Sequence, residues 1–489
     1  MSATRSTLSR EQIVAGLSQL LGADQIDTDR QRLNEASVDR FKKYTAVHGI
    51  YDGPIPAAIV NATSTADIAA VLAFADEHRI NVVPRTGRTS TEGGLETTVE
   101  DSIVLDGSAM DRILSIETEN MQATVQCGTS LQQLENTLRA QGLTTGHSPQ
   151  SKPLAQLGGL VATRSIGQLS TLYGGIEDMV MGLEAVFPDG TISRIKSVPR
   201  RAAGPDIRHV VIGNEGALCF ITEVTVKVFH HLPQNNAYHG YLVDDMGTGI
   251  AVLREVVTNG FSPSVARLYS PDDAAQHFGS LAEGRWVLVF VVEGPEGIVR
   301  VTSEEVRRVV EQHPHRQVES SEIESWFGGL NWGQDKIEAE KQSMLDHHHL
   351  GYTTEISASW SQVAAIYEAV MHRIRSEFRY ADDLTLLGGH SSHSYQTGTN
   401  MYFVYDYDIG CEPRDEITRY HVPLNTIIVE EALRHGGSMV HHHGIGKYRT
   451  PWTEAEHGTG YPILARLKEA FDPHGIMNAG TIFPDRAES

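Results

Sequence analysis

Between residues 55 and 230 the apolar positions fall in short clusters separated by polar turns. AAIVNA, NVVPR, SIVLD, ILSIE and ATVQCG are brief and rich in β-branched residues, which is the texture of strands. Between them, TSTADIAAVLAFADEHR and LQQLENTLRAQG repeat their apolar positions every three or four residues, which predicts helices. EAVFPDGTISRI sets Pro188-Asp189-Gly190 between two such clusters and predicts a hairpin turn. ITEVTVKVF alternates polar and apolar positions and predicts a half-buried strand.

The texture then changes. From 231 to 435 longer helical patterns (GIAVLREVVTNG, SEEVRRVVEQH, WSQVAAIYEAVMHRIRSEF and RYHVPLNTIIVEEALRHGG) alternate with the strands RWVLVFVVEG and NMYFVYDYD. The first 45 residues look helical and charged, and the last 49 hold turns and one short helix, LARLKEAFD. Segregated strands and helices of this kind predict an α+β chain of two lobes. The expected divisions are a helical segment over 1–45, a first lobe over 46–230, a cap over 231–440 and a returning segment over 441–489. Neither an internal repeat nor a low-complexity linker separates them.

Composition narrows the class. A chain of 489 residues predicts two or three domains. The longest apolar stretches, 69–75 and 286–292, are far shorter than the ~18 residues of a membrane span. Charges interrupt the N-terminal helix, which argues against a secretory signal. The terminal Ala-Glu-Ser is no peroxisomal address. Cys127, Cys219 and Cys411 are distant, odd in number and without a CxxC pair, so a reducing cytoplasm is expected. A net charge of −22 argues against nucleic acid and against docking on anionic lipid.

Two stretches carry candidate chemistry. PRTGRTSTEGGL, residues 84–95, is a glycine- and hydroxyl-rich turn after a strand, able to aim several backbone N–H groups at one phosphate. Alone it serves equally as a surface loop, and it is not the GxGxxG of a nicotinamide fold. GGSMVHHHGIGKYR, residues 436–449, holds three consecutive histidines. They could serve a metal, proton transfer or a polar strand. In an extended run side chains alternate, so His441 and His443 are expected on one face and His442 on the other. Three imidazoles then need a bend to meet one metal, and proton handling is the favoured use. The triplet His347, His348 and His349 is expected to be a loop or gate segment.

Further stretches then make a recognisable series: GHSPQS (146–151), LGGLVATRSIG (157–167), YGGIEDMV (173–180), VVIGNEGALCFITEVTVKV (210–228) and FDPHGIMNAGTIF (471–483). In this order, after the glycine loop, they resemble the FAD-binding half of the vanillyl-alcohol-oxidase/PCMH flavoenzyme superfamily. The resemblance implies a PCMH-type FAD-binding domain. Pro84, Arg85, Thr86, Gly87, Arg88, Thr89 and Ser90 would wrap the pyrophosphate. Gln150, Ser151, Gln156, Gly158, Gly159, Thr163, Arg164 and Ser165, with Glu215, Gly216 and Ile221, would line the rest of the flavin. The chain departs from the family's P-x-G-G-G-T-S at Thr86 and Arg88, which replace glycines. Such replacements are costly if φ is positive there, while Arg88 would add a cation near phosphate. The loop lacks the histidine that anchors flavin covalently in many members, so the expected FAD is non-covalent.

SVARLYSPDD (264–273), GGHSSHSYQTGTNMYFVY (388–405) and VHHHGIGKYR (440–449) resemble the alkylglycerone-phosphate synthase branch. That likeness implies exchange of an acyl for an alkyl group on acyl-dihydroxyacetone phosphate through a flavin N5 adduct. Arg267 would hold the substrate phosphate and Arg164 would lie near flavin and phosphate. Tyr395 would transfer the proton, beside His441, His442 and His443. Without the motif, Tyr395 is an ordinary core tyrosine and Arg267 half of a surface ion pair. The alternative activity is an oxidase or dehydrogenase of an alcohol or 2-hydroxy acid, a class that places histidines around a divalent metal. His390 and His393 stand near that point but lack an evident third ligand, so no metal is expected. The expected partner is a small phosphate- or carboxylate-bearing substrate, with a second copy of the chain as a possible homodimer partner.

Overall fold

The computed structural model describes residues 6–484. The first five residues of the N-terminal segment and the terminal Ala-Glu-Ser lie outside them. The strands Ala58–Asn61, Ile103–Asp106 and Val82–Arg85 run parallel in that order, with Ile26–Asp27 antiparallel at the edge. The helix Thr65–His78 starts where predicted because Ser64 and Asp67 form a capping box. Its buried Ile68, Val71, Leu72 and Ala75 join this sheet's core.

A second sheet of five antiparallel strands runs in the order Ile113–Glu117, Gln122–Gln126, Phe220–Lys227, Val180–Val186 and Ile192–Ile195. The predicted hairpin joins the last two. Gly190 turns there with φ 82°, and a Cβ would lie 3.0 Å from the Ala69 carbonyl. The two sheets form the first lobe.

The cap is an eight-stranded antiparallel sheet, its strands ordered Arg316–Val318, Ala237–Val243, Trp286–Val292, Val265–Tyr269, Leu384–Ser391, Gly398–Asp408 and His349–Ser359, with Ser394–Tyr395 pairing beside Gly398–Asp408. Strand geometry divides Gly398–Asp408 between two surfaces. Met401, Phe403, Tyr405 and Tyr407 are fully buried in the core beneath the helices Val363–Glu377 and Val422–Arg434. Each buried side chain of that size contributes roughly 1.5–3 kcal/mol. Tyr402, Val404 and Asp406 take the other face and line a cavity shared with the first lobe.

Both ends of the chain tie the lobes together. Helix Arg10–Leu21 buries Ile13 and Leu17 in the first lobe, whereas Tyr44 enters the cap core. Arg40 and Lys43 pair with Glu340 on the cap helix Gln334–His347. Residues 476–478 lie beside Val82, whose N–H donates to the Ile476 carbonyl (2.7 Å) and whose carbonyl accepts from the Asn478 N–H (2.8 Å).

Candidate active site

The shared cavity measures about 660 Å³, within the range of small-molecule sites. Its first-lobe wall is rich in glycine and short polar residues. Residues 84–90 contribute throughout, with Gln150, Ser151, Gln156, Gly158, Gly159, Thr163, Ser165, Glu215, Gly216 and Ile221. Glycine is needed at 87, where a Cβ would stand 2.7 Å from the Gln156 nitrogen and 2.9 Å from the Leu154 carbonyl. Arg88 adopts φ 56°, while Thr86 is not left-handed. One of the two departures from the glycine pattern therefore sits in the left-handed region, and the other does not. Arg85 is committed to Asp106 at 2.7 Å.

Two family-implied residues have other partners. Arg164 lies outside the cavity wall, half-exposed and 3.5 Å from Glu177. The Glu215 carboxylate accepts from the Ile445 and Gly446 N–H groups at 2.8 and 2.7 Å. Burial lifts its pKa to about 7.

The cap wall is built from titratable side chains. Strand register sets Glu355 opposite Tyr402, Tyr402 opposite His390 and His390 opposite Tyr269, a row across four strands. Arg267, two residues before Tyr269, shares that face. It is 4% exposed. Its Nη1 donates to the Tyr269 hydroxyl at 2.8 Å, and its buried Nε has no hydrogen-bond partner among the described residues. Among the described residues, no carboxylate lies within ion-pair distance of Arg267. His390 stacks on Tyr402 with ring centres 4.8 Å apart, and its Nδ1 meets Asp273 at 2.5 Å.

The histidine run does not form the expected extended segment. Residues 441–443 bend around Glu355, whose carboxylate accepts their three N–H groups at 2.6, 3.3 and 2.6 Å. A buried acceptor that gathers successive amides forces the bend, so face alternation does not apply. All three imidazoles crowd one region. His441 Nε2 bonds the Tyr395 hydroxyl at 2.9 Å, and its Nδ1 lies 2.8 Å from His442 Nδ1. His443 Nε2 bonds the Tyr402 hydroxyl at 2.8 Å. His442 and His443 line the cavity, whereas His441 and Tyr395 stand behind that wall.

Charge beneath the loop is balanced internally. The fully buried Arg449 lies 3.4 Å from Glu355 and 3.2 Å from Glu92. Burial alone would raise the Glu355 carboxyl, but Arg449 and the neighbouring histidines together outweigh it and hold it well below the usual carboxylate range. Glu92 has no such amide cradle, and burial pushes it to about 8. Burial lowers His441 and His442 to about 3 and His443 to about 4, so the run is neutral at physiological pH. One nitrogen each of His393, His441 and His442 falls within 4.8 Å of the others, a spacing that would also admit a metal ion. The second triplet reaches the cavity only through His349, which pairs with Asp408; His347 and His348 are exposed at the end of the cap helix.

Sequence reasoning did not find Glu355, Glu92, Arg449, Asp273 or Tyr402. The available signal was the phase of NMYFVYDYD. Assigning Met401, Phe403 and Tyr405 to the core turns Tyr402 toward the site.

The first-lobe wall suits an anionic dinucleotide. Among the described residues, buried Thr86 Oγ1 and Gln156 Oε1 have no hydrogen-bond partner. A Cβ on Gly159 would come within 2.9 Å of Thr86 Oγ1.

Comparison with known proteins agrees. Residues 56–196 match the family described as FAD binding domain, and residues 232–482 match the C-terminal domain of FAD linked oxidases. The chain is similar to the Uncharacterized FAD-linked oxidoreductase YgcU of Escherichia coli (strain K12), 59% identical over 98% of this chain and 99% of that protein. It is 28% identical to the alkyldihydroxyacetonephosphate synthase of Caenorhabditis elegans, over 88% of this chain and 76% of the other. A solved structure titled alkyldihydroxyacetonephosphate synthase superposes with TM-score 0.77 at 21% identity, covering 98% of this chain and 87% of that one.

Proposed function

Because the chain belongs to the PCMH-type family of FAD-linked oxidoreductases, we infer that it oxidises a small hydroxylated anion bearing a carboxylate or a phosphate. One observation carries this: the buried Arg267 guanidinium, without a carboxylate partner, facing a shared cavity. A planar fork of donors suits either oxyanion. Bound FAD supplies a two-electron acceptor. Thr86, Gly87, Arg88, Gln156 and Ser165 are the residues we assign to holding it, without a covalent bond. The cap residues hold and orient the substrate and manage its protons. His442, His441 and Tyr395 form a hydrogen-bonded chain leading from the cavity wall. Burial keeps these imidazoles uncharged and raises the Tyr395 hydroxyl. The chain can therefore pass a proton without holding a charge.

The test is the visible spectrum of the purified flavoprotein under anaerobic conditions. A panel of 2-hydroxy acids and phosphorylated alcohols is added one at a time. Bleaching by at least one is expected; no bleaching by any of them overturns the reading.

The shared pattern of Arg267, Tyr395 and His441–His443 supports a second reading, acyl-for-alkyl exchange on acyl-dihydroxyacetone phosphate. Asp273, Gln276, His277, Arg40, Lys43 and Glu340 also line the cavity, polar groups that an alkyl chain would leave unpaired. An ether product from the acyl substrate and a long-chain alcohol would favour this second reading.

The same proposal takes the four divisions 1–45, 46–230, 231–440 and 441–489 as its domain limits. It places the enzyme in the cytoplasm, where the three unpaired cysteines stay reduced. Among the described residues no helix is long and apolar enough to cross a membrane.

A further inference from the structure

Six histidines line the cavity: His277, His349, His390, His393, His442 and His443. Their nitrogens are not equally free. His393 Nδ1 bonds the Ser170 hydroxyl at 2.8 Å. His442 Nδ1 is committed to His441, and His443 lies between the Tyr402 hydroxyl and the carboxylates of Glu92 and Glu355. His349 sits between Asp406 and Asp408, the latter largely exposed. His277 reaches Asp273 at 3.3 Å but is 35% exposed. Of the two histidines that pair with the buried Asp273 carboxylate, His390 is the more deeply buried, 11% exposed against 35% for His277.

The geometry is specific. The Asp273 side chain is 2% exposed and lies 2.5 Å from His390 Nδ1. An ionised carboxylate can only accept, so Nδ1 carries the proton. The lone pair is then on Nε2, which makes no hydrogen bond among the described residues, and His390 lines the cavity. The ring is clamped between Tyr402 and Tyr269, at 4.8 and 4.9 Å. Strand pairing puts Arg267 on the same face.

We propose that His390, oriented by Asp273, takes the hydroxyl proton of the substrate anchored at Arg267, a role that rests on the oxidoreductase reading above. The O–H bond breaks and its proton passes to Nε2. The carbinol C–H bond breaks with its electron pair as a hydride, for which FAD, when bound, would be the two-electron acceptor. The product is the corresponding carbonyl compound. Asp273 is a positioning residue: it fixes the tautomer and stabilises the imidazolium formed. The titratable or charged neighbours are Asp273 and His277 from one helix, Arg267 and Tyr269 from one strand, Tyr402 from another, and His393 and His442. Burial lowers the His390 pKa, with Asp273 opposing that effect.

The test uses oxalate as an inert probe, titrated into the FAD-loaded protein and read from the flavin absorbance. Oxalate binds the protonated imidazole, so its affinity should climb about tenfold per unit as pH falls toward the ionisation of His390. His390→Gln should abolish that slope while retaining FAD. Asp273→Asn should keep the slope but displace it to lower pH. His277→Gln should leave it unchanged. An unaltered slope in His390→Gln, or no oxalate response in the FAD-loaded wild type, overturns the proposal. Failure of every hydroxy compound to bleach the flavin, with the oxalate slope lost in His390→Gln, would instead reject the oxidoreductase reading.

Discussion

The tripeptide His-His-His occurs twice, and its two copies share almost nothing beyond composition. At 347–349 it closes a cap helix. His348 takes the left-handed position with φ 49° and bonds the Tyr44 hydroxyl, and the first two rings are exposed. At 441–443 the same residues bend around Glu355 and lose their charge to burial. What differs is the group behind the backbone. An acceptor that collects three amides converts a flexible polar stretch into a fixed cluster of neutral bases.

Removing that acceptor should break the contrast most severely. Glu355→Gln leaves the Arg449 charge buried with only Glu92 beside it. The expected loss is roughly 3–5 kcal/mol, measured by chemical denaturation. A loss under 1 kcal/mol would show that the bend does not depend on the carboxylate.

Acid should separate the triplets next. Unfolded histidines take up protons near pH 6.5, whereas folded His441, His442 and His443 resist until about 3 to 4. Their folded pKa values are depressed, so their contribution to stability is present above pH 6.5 and lost as pH falls toward 4. Replacing all three with glutamine should flatten Tm against pH across that window. Replacing 347 and 348 should not.

A sharper probe is Tyr395→Phe, which removes the end of the hydrogen-bonded chain. Turnover should fall about 100-fold, while stability should drop by about 1 kcal/mol. Equal turnover would remove Tyr395 from proton transfer. The smallest effect belongs to the outer triplet: His347→Ala should change stability by less than about 0.5 kcal/mol and leave turnover unchanged.

The contrast also explains what could be seen from sequence. The first-lobe wall is made of contiguous loops, so PRTGRTSTEGGL and LGGLVATRSIG carried their chemistry within a few residues. The strands flanking Pro188-Asp189-Gly190 were legible for the same local reason. The cap wall is assembled across strands: Glu355, Tyr402, His390 and Tyr269 are neighbours only through pairing. No local pattern announces such a row, and NMYFVYDYD hides its site residues among core aromatics. The bend at 441–443 was illegible because Glu355 lies 86 positions earlier.

The strip at 476–478 has a consequence for biosynthesis. It hydrogen-bonds to Val82, and the Asn478 side chain donates to the carbonyls of Gly94 and Glu215. The dinucleotide-facing half of the molecule thus stays an unfinished edge while the ribosome adds nearly four hundred further residues after it begins to emerge. A chain stopped before residue 476 lacks the strip that completes this edge.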